Sequence, residues 1–539
     1  MGVEREDKGR LAAVNSKDYH NDIAEVSSNE EKDRDQLARL GKKSVLKRTF
    51  SFLSILSFTC TVLITWEGSL VLFSQGLTNG GPAGVVYGFL FVWLGNASLF
   101  ATLSELVSMA PTSGGQYHWV AMLAPRSCSK FLSYVTGWLT AAGWLGTMTA
   151  AANFSAGMIQ GVAVLTIPSY EIKPYQTTLL FWAVMLFYLL VNTAGNKILP
   201  RFETIAFFLH VLGFIGILIP FAVLGSRSTT ASVFTTFQNG GNWSSQGLSF
   251  FIGLLGNVFA FAGVDGAFHL SEEVQNPSTV VPSSIMFSIL INGSAGFIMV
   301  VVVLLYMGDI DQALHSPTGF AFMEIFRQAT RSVAGSAAMA SVVIVMTLCC
   351  GAGILASTSR IFWSFSRDRG LPFSHLLSKV DTKKALPYWS IFVPAIIGCL
   401  LALINIGSII AFNSVVSLSV SSLYSSYFLA AILLLYRRCS NGFKSPDQSD
   451  NPALANTAGA DLVWGPWRIP GILGILNNIF ACVYAVIIWF FSFWPVQTPV
   501  HADSMNYSVL MTGTAAVFSI GYYLVWAKRQ YQGPIVDAR

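Results

Sequence analysis

The sequence predicts an all-α membrane protein of twelve transmembrane helices, arranged as a five-plus-five inverted repeat in which helices 1 and 6 are broken. Three observations predict it. The 539 residues are 53% hydrophobic and only 11% charged, against about 25% charged residues in soluble domains. Apolar runs of bilayer-spanning length recur along the chain. Two of those runs, five spans apart, are interrupted by an acid followed by glycine. A soluble surface needs charge to meet water, whereas a chain sheathed in lipid does not.

Taken in order, residues 1–49 are polar and of mixed charge, which predicts a disordered cytosolic tail without a cleavable signal peptide. A bilayer core of about 30 Å needs about 20 apolar residues per helix. Runs of that kind fall near 50–73, 83–108, 133–165, 177–199, 202–224, 247–270, 284–308, 335–364, 389–407, 410–436, 470–494 and 506–527. These define a spanning domain over 50–527, followed by a cytosolic tail over 528–539.

Loop charge orients the spans. Arg39, Lys42, Lys43, Lys47 and Arg48 precede span 1, and Arg126 and Lys130 follow span 2. Lys197 and Arg201 follow span 4; Arg367, Arg369, Lys379, Lys383 and Lys384 follow span 8; Arg437, Arg438, Lys444 and Arg468 follow span 10; Lys528 and Arg529 follow span 12. The alternate loops carry only Lys173, Arg227, Arg327 and Arg331. Both termini are therefore expected in the cytosol. Asn242 and Asn506 begin glycosylation triplets on the outer side.

The net charge of +5 is spread over loops and tails, which argues against nucleic acid as a partner. The seven cysteines sit mostly inside apolar runs and form neither a disulfide framework nor a zinc pattern. No H-E-x-x-H and no G-x-S-x-G elbow is present, so nothing points to an enzyme or to a cofactor.

An acid within a membrane span is costly and is a functional candidate by default. Glu67 lies in Trp66-Glu67-Gly68-Ser69 of span 1, and Asp265 in Phe261-Ala262-Gly263-Val264-Asp265-Gly266 of span 6. Glycine permits unwound backbone. Helices broken at the midplane of an inverted repeat bind solutes through their exposed ends. Freed N–H groups favour a carboxylate, and freed carbonyls with the acids favour an ammonium, so a zwitterionic amino compound matches both. The other reading of each glycine is close helix contact.

Aromatic faces attract ammonium groups, and Trp66 and Phe261 adjoin the two breaks. The candidate binding set is Trp66, Glu67, Gly68, Phe261, Gly263, Asp265 and Gly266. His210 in span 5 is either a proton relay or a structural histidine. Glu105 ends span 2 as a gate or as the partner of a loop arginine. Glu272 and Glu273 share the inner side with Arg360 and Arg367. Ion pairs among them would close an inner gate; alternatively they are solvated helix ends.

Several segments resemble a known family. Gly80-Gly81-Pro82-Ala83-Gly84, Ala110-Pro111-Thr112-Ser113-Gly114-Gly115-Gln116-Tyr117, His269-Leu270-Ser271-Glu272-Glu273-Val274 and Ser357-Thr358-Ser359-Arg360 with Ser366-Arg367-Asp368-Arg369-Gly370-Leu371-Pro372 are similar to the fungal amino acid/choline permease branch of the amino acid–polyamine–organocation superfamily. The resemblance implies the inverted-repeat fold and proton-coupled uptake of a small amino acid or amine, such as 4-aminobutyrate or choline, across the plasma membrane. Two departures matter. Relatives carry a small-residue–glycine triplet where this chain has Trp66-Glu67-Gly68-Ser69, which favours an amine-led binding mode. Some use a span 5 lysine that is missing here, which leaves His210 as its stand-in. A nutrient-sensing receptor on the same fold is the competing expectation.

Overall fold

The computed structural model describes residues 31–194, 198–225, 230–407, 409–444, 454–502 and 504–537. Residues 1–30 of the expected disordered tail lie outside that set, as do Lys197 and Arg227. The remainder of the tail is held: residues 31–39 are largely helical, and Lys42 is buried.

The described chain is almost wholly helical. Span 1 is two helices, α1 (Phe52–Leu63) and α2 (Thr65–Val71), followed by α3 (Phe73–Met109), the short α4 (Gln116–Leu123), α5 (Ser129–Thr166), α6 (Pro174–Thr193) and α7 (Ile198–Leu224). Then come α8 (Gln246–Phe259), α9 (Gly266–His269), α10 (Pro277–Tyr306), α11 (Ala321–Thr330), α12 (Val333–Arg367) and α13 (Tyr388–Leu401). The chain closes with α14 (Ile409–Cys439), α15 (Gly471–Phe491) and α16 (Ser508–Tyr522). Among the described residues eleven helical stretches are long and apolar enough to cross a membrane. Where the sixth span was expected, the apolar helix α8 is only 14 residues long, because the break that follows cuts it short.

Helix α7 shows how sequence sets burial. Glu203, Ala206, His210, Gly213, Ile217 and Phe221, three or four residues apart, form its buried stripe. Ile205, Phe208, Leu212, Ile215, Ile219 and Val223 point outward and are equally apolar. A helix that is hydrophobic all round, with its few polar groups on the inner stripe, belongs in a bilayer.

Three interruptions position the site. Ile64, between α1 and α2, is left-handed (φ 32°, ψ 49°). That is a rare state for a β-branched residue, with a strain of order 1–3 kcal/mol. The break therefore falls at Ile64, and Glu67 and Gly68 lie within the helix beyond it. This corrects the expected break at Glu67-Gly68. The acid marked the right span, but an N-terminal first turn tolerates glutamate well. In span 6 the helix stops after Phe259 and resumes at Gly266, with Gly263 at φ 103°. In α3 the helix bends at Gly81 (φ 65°), where an added Cβ would lie 2.8 Å from the Gln238 nitrogen.

A Cβ on Gly263 would lie 3.1 Å from Val62 Cγ1. Gly263→Ala is expected to destabilise the protein by about 1–3 kcal/mol through its positive φ, read as a lowered melting temperature in detergent.

The chain's two described ends meet on one face. The Ile535 N–H donates to Asp368 Oδ1 (2.9 Å), which also accepts from Lys42 Nζ (2.5 Å), and the Asp537 N–H donates to the Gly41 carbonyl (2.6 Å). Two ends on one side require an even number of crossings, which supports counting the interrupted α8–α9 segment as one. On the opposite side, the Asn506 amide donates to the carbonyls of Ser492 and Trp494 (2.8 and 2.9 Å).

Candidate functional site

The breaks of spans 1 and 6 face each other. A Cβ on Gly68 would lie 3.3 Å from the Ala260 Cα. Between them is a cavity of about 50 Å³ bounded by Ile64, Gly68, Leu72, Phe154, Phe259 and Cys350 among others. Phe154 and Phe259 meet edge to face, with ring centroids 5.8 Å apart. The space holds roughly three to five waters, at about 10–15 Å³ each, so this conformation is closed around a site too small for an amino acid.

Asp265 ends the span 6 break and is fully buried. Its Oδ2 accepts from Gln116 Nε2 (3.0 Å) and Trp144 Nε1 (3.1 Å). His269 Nε2 lies 3.8 Å away. Oδ1 has no hydrogen-bond partner among the described residues. The opposite ring nitrogen of His269, Nδ1, is 3.0 Å from the Ser113 carbonyl. A carbonyl only accepts, so Nδ1 carries a proton and Nε2 is the free face of the ring. The Ser113 carbonyl belongs to the backbone after α3, and Gln116 opens α4. Gly115 takes φ 54°, and a side chain there would run into His269 at 3.1 Å.

The structure joins two candidates that sequence reading kept apart. His210 Nδ1 and Glu67 Oε1 are 2.7 Å apart, and both residues are buried. A proton necessarily sits between them. Trp66 lies against His210 and Phe214 (centroids 5.8 and 6.2 Å). Phe261 lies against Phe89 (5.4 Å). Neither ring is among those bounding the cavity, and neither are Glu67, Gly263, Asp265 or Gly266, which corrects their expected place there. Each helix position turns about 100° from the last, so the rings beside a break in sequence face neighbouring helices instead. Of the expected set, Gly68 borders the cavity. Gly263 and Gly266 give close approach to Val62 and to Ser357, whose Oγ would be 2.7 Å from a Gly266 Cβ.

On the face shared by the chain ends, four acids are paired. Arg360 grips Glu273 with two nitrogens (2.7 and 3.1 Å), both residues buried. Arg367 grips Glu272 likewise (2.8 and 3.0 Å), and the Ser113 N–H adds a third donor at 3.0 Å. Lys42 and Tyr117 bind Asp368. Glu105 pairs with Arg438 at the end of α14 and accepts from the Ile469 N–H. Of the two readings offered for it, arginine partner fits. Burial pushes the Glu272 carboxyl up, but Arg367, the Ser113 N–H and Lys42 outweigh it and hold it below the usual glutamate range. At Asp368 burial is likewise outweighed, by Lys42 and Arg367. Both acids are thus ionised at neutral pH, and these are ion pairs, not solvated helix ends.

Sequence reading gave no role to Gln116, Trp144, His269, Glu203, Asp368 or Arg438. Gln116 and His269 were inside quoted motifs and were findable there. Trp144 is one of five aromatics in α5, with no local signal to single it out. Glu203 sits two residues after Arg201 and reads as a membrane-edge charge, yet it is fully buried.

Residues 50–516 match the amino acid permease family. The chain belongs to that family. Its relatives include a Macrophomina phaseolina protein provisionally named as an amino acid/polyamine transporter, 28% identical over 84% of this chain and 96% of its own. A choline transporter of Saccharomyces cerevisiae is 28% identical over 90% of this chain and 83% of its own. An amino-acid permease of Arabidopsis thaliana is 28% identical over 93% and 96% respectively. As a permease, the protein is a membrane transporter of amino acids or amines.

Proposed function

We propose that this permease is a proton-coupled importer of a small amine or amine-bearing amino acid, working by alternating access at the plasma membrane with both termini cytosolic. The observation that carries the reading is Asp265: a buried acid beside a helix break, with two neutral donors on Oδ2, the Tyr427 hydroxyl nearby, and no donor seated on Oδ1. An ammonium placed at Oδ1 would supply the missing partner. Asp265, Gly68 and the Phe154–Phe259 pair form the binding region in this reading, and Glu67–His210 supports span 1 from behind.

The loop-charge rule supports a cytosolic location for the paired acids. There they hold the inner side shut while the site loads from outside. Opening requires α2 to part from the Ala260 turn, since the present cavity admits only water. The names of the choline and amino acid/polyamine relatives favour a cationic head group.

Reconstituted into proteoliposomes under an inward proton gradient, the protein is expected to accumulate labelled choline or 4-aminobutyrate, each competing with the other. Accumulation abolished by a protonophore supports the coupling. Saturable binding with no accumulation of either would replace this reading with a receptor.

A further inference from the structure

Besides Asp265 and Glu67, one more acid is enclosed in the spanning bundle near a helix break, and the scheme above makes no use of it. Glu203 of α7 is fully buried. Its Oε2 contacts the hydroxyl of Thr61, and its Oε1 has no hydrogen-bond partner among the described residues. No lysine or arginine of the described residues is paired with it. Thr61 lies in the last turn of α1, three residues before the break at Ile64. On the far side α12 presses Gly353 close: a Cβ there would be 3.1 Å from Oε1.

The hydroxyl of Thr61 decides what Glu203 can be. It has one proton and three acceptors in reach: the Ser57 carbonyl at 3.0 Å, the Phe58 carbonyl at 3.1 Å, and Glu203 Oε2. If Glu203 carries a proton, Oε2–H donates to Thr61 Oγ1, and the hydroxyl donates back to its own helix. Every donor then has an acceptor. If Glu203 is ionised, Thr61 must turn away from its helix to donate to Oε2. Oε1 then remains a buried anionic oxygen without a donor, beside the negative end of the α1 dipole. The closed arrangement thus fits the protonated acid, and the ionised acid fits one in which water reaches it.

We infer that Glu203 is a site for the transported proton, loaded while the inner side is closed and emptied when α1 and α12 separate. This rests on the importer reading above and adds the residue that carries the coupling. The balance is simple: the Oε2–H bond breaks, the proton passes to cytosolic water, and the carboxylate takes another proton from the outer side on the next cycle. The titratable groups that face it are Cys349 and Cys350 on α12, and the Glu67–His210 pair lies about two turns further along α7. The thiols are neutral near pH 7, and Glu67–His210 already shares a proton internally.

The test uses the full chain in proteoliposomes containing a pH-sensitive dye, with labelled choline and, separately, 4-aminobutyrate as probes. Wild-type protein is expected to carry a fixed proton-to-substrate ratio. In Glu203→Gln, whose amide copies the protonated acid by donating to Thr61, that ratio is expected to fall to near zero for whatever substrate still moves. A wild-type ratio in Glu203→Gln overturns the inference. Thr61→Val gives a second measurement should the first variant fold poorly. Loss of the hydroxyl is expected to raise the external pH of half-maximal uptake, because the ionised acid loses its only donor. An unmoved half-maximal pH overturns the inference, since a merely structural contact would change rate alone. Failure of wild type to move either probe, or to move protons with it, would instead overturn the importer reading itself.

Discussion

Asp265→Asn is expected to lower uptake at least about thirtyfold while the protein still reaches the membrane and keeps its melting temperature within a few degrees. The asparagine oxygen can accept from Gln116 and Trp144 as Oδ2 does now, so the fold loses neither hydrogen bond. Only the oxygen without a partner changes, from an anionic acceptor to an NH₂ donor. Removing one member of a buried charge pair costs about 2–5 kcal/mol, and 1.4 kcal/mol is tenfold in affinity. The effect should therefore appear in substrate affinity first. Initial uptake rates against substrate concentration, alongside surface labelling, check this; unchanged uptake would remove Asp265 from substrate binding.

The other large effect is expected at the inner ion pairs. Arg360→Ala leaves Glu273 buried and unpaired, at a cost of about 3–5 kcal/mol to the closed form. That is enough to bring a closed-to-open ratio of about a hundred to one down to parity or below. Cys350, whose thiol sits 3.2 Å from the Val62 carbonyl beside the cavity, reports it. It should resist a thiol reagent applied from the inner side in wild type and react in Arg360→Ala. Glu273→Ala made in the same protein should restore part of the protection, because the stranded charge goes with it. If the two substitutions simply add, the pair does not hold the gate.

Fold class was legible because a bilayer imposes one rule everywhere: long apolar helices with charge confined to their ends. Spans 1 and 6 were marked correctly by Glu67 and Asp265, since an acid in an apolar run has few structural excuses. What a local reading does not carry is direction. Glu67 turned to His210, Trp66 to Phe214, and Phe261 to Phe89, because helix rotation and distant neighbours decide which way a side chain points. The break at Ile64 has no compositional mark at all; isoleucine resists that geometry, and only the surrounding helices hold it there. Glu203 was hidden for the opposite reason, looking ordinary beside Arg201 at a span edge.

The meeting of the two chain ends at Asp368 bears on biogenesis. Lys42 is made early in synthesis, Asp368 much later, and Ile535 cannot join them until the final helix has been threaded. Until then a lysine and an aspartate destined for a dry pocket stay wet. The junction therefore sets apart a chain extended through residue 535 from any shorter nascent one. A bulky reporter fused just after residue 537 would sit against this seam, whereas a long flexible spacer would leave it undisturbed.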